Sequence, residues 1–300
     1  MVDLFGCGRV GGALLPMLER SGIRVASVHD SNGARVLRAG ARSASVLIDV
    51  TSPRYVGGAA EAWIRHLEEA LGDGVAIVTC NKAPLALAWD RLIAAAASGR
   101  TTISCTATVG GGTPILPLLR RIQRTHGVRR LEASLNATLD YVCRRIIEGV
   151  ALEDAIQSAQ LAGWAEPDPT LDLNGTDLAA KSVIVHNLVF PSHPSQTLDP
   201  GHPPLLVEAE EIRRQARGGV VVRATSTIVP GRSTVRLSAT LERQGHSAGG
   251  EASVRAELLD GTSVLLTGPG AGPEATARAV LGDILSLGIP PELEPVEVRT

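Results

Sequence analysis

The stretch that most narrows the fold is the opening one, VDLFGCGRVGGALLPMLERSG, residues 2–22. A short apolar run reads as a strand, Gly6, Gly8 and Gly11 follow in GxGxxG spacing, and an amphipathic stretch ending at Gly22 reads as a helix. A strand that turns through such a loop straight into a helix opens a βαβ unit and points to a dinucleotide. The first glycine permits the tight turn, and the second lets bare backbone approach a pyrophosphate. The third lets helix and strand pack closely, while the N–H groups of the helix start, where Arg9 and Val10 stand, face the anion. Asp30 ends the next apolar run, about where a carboxylate would hold the ribose hydroxyls of NAD. It would repel a 2′-phosphate, although Arg9 and Arg35 are near enough in sequence to offset that. The reading is therefore NAD or NADP, with a lean to NAD.

The alternation continues to about residue 105. IRVASVHD, ASVLIDV, VAIVTC and TTISC read as four further strands, with helices in AAEAWIRHLEEALGDG and LALAWDRLIAAAASG. Continuous β-branched runs separated by helices predict a parallel sheet covered on both faces. The pattern then changes. The loop TVGGGTP enters a helix, and RRLEASLNATLDYVCRRIIEG, LEDAIQSAQLAG and DLAAKSVIVHNLVF add one strand and three helices. Four alternating runs, VVVRATSTIV, STVRLSATLER, ASVRAELLD and SVLLTG, read as antiparallel strands, and a last helix is expected from residue 273. The fold expected is a Rossmann-type α/β nucleotide-binding domain plus an α+β catalytic and dimerisation domain with an antiparallel sheet. The first is placed at residues 1–106 and about 273–300, and the second at 107–272.

A net charge of −2 gives no electrostatic case for nucleic acid or acidic membranes. Cys7, Cys80, Cys105 and Cys143 lack CxxC spacing and sit in apolar or glycine-rich runs. That argues against structural zinc, for reduced buried thiols and for a cytoplasmic setting. No signal peptide is visible, and no apolar run approaches the length of a membrane span.

Of 29 basic residues only Lys82 and Lys181 are lysine. Codon bias accounts for the rarity but not for the placement. Lys82 follows a sheet strand in VTCNKAPLA. Lys181 lies four residues after Asp177 on a helix that is apolar nearly all round, where a charged pair is costly without partners or a task. Lysine can exchange a proton once desolvated or set beside other charges, and arginine cannot. A buried or cleft-lining lysine–carboxylate set therefore marks a candidate site.

Four segments together resemble the homoserine dehydrogenase family: NKAPLA (81–86), ATVGGGTPI (107–115), AEPDPTLDLNGTDLAAK (165–181) and GPGAGPEATA (268–277). They come in the family's order, and the third is the most specific. The resemblance implies NAD(P)-linked interconversion of L-homoserine and L-aspartate 4-semialdehyde by a homodimer with the antiparallel sheet at its interface. It makes Lys181 the proton donor and acceptor and places Lys82 between cofactor and substrate. It gives Glu166 the substrate ammonium, with Asp172 and Asp177 completing the polar pocket. Thr51, Ser52 and Gly270 would face the cofactor together with Gly6, Gly8, Arg9, Val10, Gly11, Asp30 and Lys82.

Two departures bear on this. Thr106 stands where the family has a glutamate that helps form a monovalent-cation site, which argues against a cation here. The segment Asn136-Ala137-Thr138-Leu139-Asp140 departs from the family's Asn-Gly-Thr and the polar pair after it. Ala137 and Leu139 would favour a related small amino-acid aldehyde or alcohol as substrate. A non-catalytic dinucleotide-binding sensor is the alternative of a different class, and the two lysines argue against it.

Overall fold

A computed structural model describes residues 1–30, 33–36, 44–199, 208–216, 220–241, 251–270 and 272–288, with 33–36, 220–221 and 238–241 described in backbone only. The side chain of Arg35 and all of Ala271 lie outside the described residues. The chain divides into two compact units, Met1–Thr108 with the chain from Gly272, and Val109–Ala271.

The first unit is built on β1 (Val2–Phe5), β2 (Val25–Asp30), β3 (Gly33–Val36), β4 (Val46–Asp49), β5 (Ala76–Thr79) and β6 (Ile103–Ser104), in the order β3-β2-β1-β4-β5-β6. All pairings are parallel except β2 with β3. That antiparallel edge strand was not anticipated, although Asn-Gly at 32–33 is a hairpin signal. Strand β4 is buried at every position, as its continuous apolar run predicts, while β1 alternates between buried and half-buried residues. Helices α1 (Arg9–Arg20), α2 (Gly58–Gly72) and α3 (Lys82–Ser98) connect them. The third helix starts at Lys82 rather than at Leu85, because the Asn81 side chain caps it by accepting from Ala83 N.

The chain steps from β1 outward to β2, then returns to place β4 on the other side of β1. This reversal opens a crevice at the carboxyl ends of β1 and β4, the usual ligand position in such sheets.

The second unit contains α4 (Ile115–His126), β7 (Val128–Ser134), α5 (Ala137–Ile147), α6 (Leu152–Leu161), α7 (Thr170–Leu173), α8 (Thr176–Val189), α9 (Ala209–Gln215), β8 (Val220–Val229), β9 (Arg232–Leu241), β10 (Glu251–Leu258) and β11 (Ser263–Pro269). Its strands form one antiparallel sheet in the order β11-β10-β7-β8-β9. Along β10, Ala252, Val254, Ala256 and Leu258 are buried and the residues between them are half-exposed, the alternation of a sheet with one face on a core. Helix α8 is buried nearly all round. It is tied to the sheet by Ser182 Oγ to Ser226 Oγ at 2.7 Å and by Gly231 N to His186 Nε2 at 2.9 Å.

The last helix, α10 (Pro273–Ser286), belongs to the first unit, where Ala277, Val280 and Ile284 join Leu14, Leu18, Val2 and Ile48 in one core. Asp283 accepts from Thr106 N at 2.8 Å, so the residue at the family's glutamate position is engaged through its backbone.

Candidate active site

In the first unit Gly6 adopts φ +99°, which L side chains rarely reach, and a Cβ there would lie 2.6 Å from Val50 O. A Cβ on Gly11 would lie 2.1 Å from Gly6 O, so the third glycine brings helix against turn. Gly8 differs: a Cβ there would meet nothing within 4 Å. It is the N-cap of α1 and supplies no side-chain cap, which leaves the first N–H groups of that helix for an anion. Arg9 and Val10 form the first turn, and exposed Asp30 ends β2.

Thr51 and exposed Ser52 follow β4 on the other side of β1. Lys82 is half-buried at the first position of α3, where a cation opposes the positive end of the helix dipole.

Sequence reasoning missed the carboxylate beneath these residues. Asp49 is fully buried at the end of β4. It accepts from Thr51 N at 3.0 Å, Thr51 Oγ1 at 2.6 Å and Trp63 Nε1 at 2.9 Å. Asn81 Nδ2 donates to Thr51 Oγ1 at 3.0 Å, so Asn81 joins Thr51 to the start of α3. Burial raises the pKa of Asp49, and its hydrogen bonds to Thr51, Trp63 and Asn81 oppose that. The available signal was a carboxylate closing an otherwise apolar strand. Burial and the neighbouring Asp49 also raise the Cys80 thiol to about 12, partly offset by Lys82. Against the expectation of four buried thiols, Cys7 is exposed on the glycine turn and Cys80 is only half-buried, while Cys105 and Cys143 are buried.

In the second unit Lys181 Nζ lies 2.7 Å from Asp177 Oδ2 and 2.6 Å from Leu135 O. The pair is only 13% and 11% exposed. Asn136 Nδ2 reaches Asp172 Oδ1 at 2.9 Å and Asp177 Oδ2 at 3.5 Å, while its Oδ1 caps α5 by accepting from Leu139 N. Lys181, Asp177 and Asp172 are thus brought together through Asn136.

Glu166 is exposed, and the hydrogen bonds of the described residues do not join it to Lys181. Its loop is held by Gln160 Nε2 to Pro167 O at 3.0 Å and by Thr138 Oγ1 to Trp164 O at 2.7 Å. Gly270 directly follows β11. There the two later glycine segments meet: Thr113 Oγ1 donates to Pro269 O at 3.1 Å, and a Cβ on Gly268 would lie 2.3 Å from Thr113 Oγ1.

Beneath the β7–α5 corner Asp140 is buried. It accepts from Ser134 Oγ at 2.9 Å and faces Arg223 Nη1 at 3.7 Å. Burial raises its pKa to about 6, against the opposing pull of Arg223, Ser134 and the Ala224 N–H. That N–H points at the carboxyl group, though Oδ1 has no partner at ordinary hydrogen-bond geometry. Among the described residues no group of three or more His, Cys, Asp or Glu could hold a metal ion, and no helix is long and apolar enough to cross a membrane.

The family model for homoserine dehydrogenase matches residues 114–285. The chain is 32% identical to a homoserine dehydrogenase of Sulfurisphaera tokodaii over 81% of its own length and 76% of that relative. It is 30% identical to an NAD(+)-dependent homoserine dehydrogenase of Pseudomonas canavaninivorans over 73% of this chain and 64% of the relative. Among solved structures, a hyperthermophilic archaeal homoserine dehydrogenase in complex with NADPH superposes with a TM-score of 0.76 at 25% identity, covering 96% of this chain and 98% of that one. With the glycine turn at the sheet's reversal and the Lys181–Asp177–Asn136–Asp172 cluster, these likenesses show that the chain belongs to the homoserine dehydrogenase family, oxidoreductases acting on a CH–OH group.

Proposed function

We propose that this chain interconverts L-homoserine and L-aspartate 4-semialdehyde with NAD or NADP, Lys181 being the proton donor and acceptor. The observation that carries the reading is the Lys181 ammonium, held by Asp177 and the Leu135 carbonyl inside the family's most specific segment. Of its three N–H donors, two are committed to those partners and the third is left for a substrate oxygen. Lys181 Nζ gives its proton to the aldehyde oxygen in reduction and takes it back from the hydroxyl in oxidation. Asp177 and Leu135 O keep the nitrogen in place through both steps.

The open space at Gly8 and the uncapped start of α1 fit a dinucleotide pyrophosphate. That cofactor, when bound, supplies or accepts the hydride. Gly6, Gly8, Arg9, Val10, Gly11, Asp30, Thr51, Ser52, Lys82 and Gly270 are assigned to it, and the Asp30 carboxylate favours NAD. Lys82 polarises the reacting oxygen or holds the substrate carboxylate. Glu166 takes the substrate ammonium, and Asp172 and Asp177 complete the polar pocket. The developing alkoxide meets ammonium groups, so no metal ion is assigned a step.

We also assign a homodimer through the half-exposed face of the antiparallel sheet, checked by light scattering for twice the chain mass. The setting inferred is the cytoplasm, where free thiols such as its four cysteines persist.

The test is the reduction of NAD and of NADP by purified protein with L-homoserine, followed by absorbance. Turnover with either one supports the reading, and a higher kcat/KM with NAD supports the role of Asp30. Dinucleotide binding with no turnover across the pH range would favour the sensor.

A further inference from the structure

Asp49 is a fully buried, multiply hydrogen-bonded carboxylate that the proposed reaction leaves without a task. The sheet order gives its position meaning. Asp30, the ribose-facing carboxylate, ends β2 on one side of β1, and β4 and β5 lie on the other. If the pyrophosphate sits on the glycine turn after β1, the nicotinamide half extends over the ends of β4 and β5, which carry Thr51 and Lys82.

A single chain of hydrogen bonds links those ends. Ala83 N donates to Asn81 Oδ1, Asn81 Nδ2 donates to Thr51 Oγ1, and Thr51 Oγ1 donates to Asp49 Oδ1. Thr51 N adds a second bond to the same oxygen, and Trp63 Nε1 holds the other oxygen from α2. Thr79 Oγ1 accepts from Asn81 N and so fixes the same corner from β5. The direction of the chain follows from its end. Because Asp49 accepts, the Thr51 hydroxyl must give its proton downward and accept from Asn81. Asn81 must then turn its amide nitrogen to Thr51 and its oxygen to the start of α3.

We propose that Asp49 is a positioning residue for the nicotinamide half of the cofactor site, setting the Thr51 loop and the Lys82 end of α3 together. The role rests on the dinucleotide reading above. Asp49→Asn is nearly isosteric, yet it offers one acceptor oxygen where N–H and O–H donors arrive on both. Its amide nitrogen therefore confronts either the Trp63 indole or the Thr51 donors.

The test compares NADH (or NADPH, whichever the wild type binds more tightly) with ADP-ribose, which lacks the nicotinamide. Both are titrated calorimetrically into full-length protein. Asp49→Asn is expected to weaken the whole dinucleotide by about tenfold or more and ADP-ribose by less than about twofold. Equal weakening of both ligands, or of neither, would overturn the proposal and leave Asp49 a residue of the fold only. If Asp49→Asn does not fold, Asn81→Ala cuts the same chain while leaving the buried carboxyl its Thr51 and Trp63 bonds. The same split is expected, and an unchanged NADH affinity would overturn the proposal. Thr51→Ser, which keeps the hydroxyl, should restore what Thr51→Val loses. A wild type that binds neither ligand refutes the dinucleotide reading itself, and this proposal with it.

Discussion

Lys181 and Arg differ in the property the proposed chemistry needs. A guanidinium can reach Asp177 and Leu135 O, but it stays protonated and cannot pass a proton at neutral pH. Lys181→Arg should therefore keep the charge and lower kcat by about 10²-fold or more. Near-normal turnover in a steady-state assay would remove Lys181 from the proton-transfer role. Glu166→Gln should act differently, raising KM for L-homoserine with a smaller effect on kcat, since its assigned partner is the substrate ammonium.

Asp140 supports a prediction about pH. Its folded-state pKa of about 6 lies above the ordinary 3.8, so the folded state holds this proton more tightly than the unfolded chain. The stability from this group is present below about pH 4 and declines as pH rises towards and past about 6. Relative to Asp140→Asn, which cannot titrate there, the wild type should lose Tm across that window on going to higher pH. Parallel Tm–pH curves for the two proteins would show that burial does not perturb Asp140.

The glycine turn after β1 separates two kinds of constraint within one element. Gly8→Ala meets no neighbour and keeps an ordinary φ of −73°, so it should fold with a Tm close to wild type. Its methyl group occupies the space assigned to the pyrophosphate, and dinucleotide affinity should fall by about tenfold or more. Gly11→Ala places a methyl 2.1 Å from Gly6 O, a backbone atom that cannot yield cheaply, so stability itself should fall. Thermal melts beside calorimetric titrations of both variants would separate the effects.

These elements were legible because their signals are local. The turn is written in three glycines, the strands in β-branched runs, and the Asp177–Lys181 pair in a four-residue step. β3, α7 and α9 were passed over because each is short and carries little periodicity. The Asp49 network was illegible for a deeper reason. Its members, at 49, 51, 63, 79 and 81, come from two strand ends and a helix, and only the parallel register of β4 with β5 brings them together. Asn136 was likewise noted as part of a motif, but its hold on Asp172 and Asp177 spans segments far apart in sequence.

The first unit of the molecule is discontinuous, and its core includes both ends of the described chain. Ile284 of α10 is fully buried with Leu14 and Leu18 of α1. Ile284→Ala should cost about 2–5 kcal/mol and lower amide protection in α1, although the two helices are far apart in sequence. Hydrogen exchange that changed only around α10 would mean that the two helices do not share a cooperative core.

The same arrangement sets an order on synthesis. A ribosome makes all six strands of the first sheet early, then the whole of Val109–Ala271, and only afterwards the helix that completes the first core. The last element of the amino-terminal unit is therefore delivered only after the whole second unit has been made. Until α10 emerges, the apolar faces of Leu14 and Leu18 lack their last neighbours, while the later unit is already continuous. A released chain truncated after residue 271 should therefore protect Val109–Ala271 from protease and leave the first unit, which lacks α10, open to cleavage.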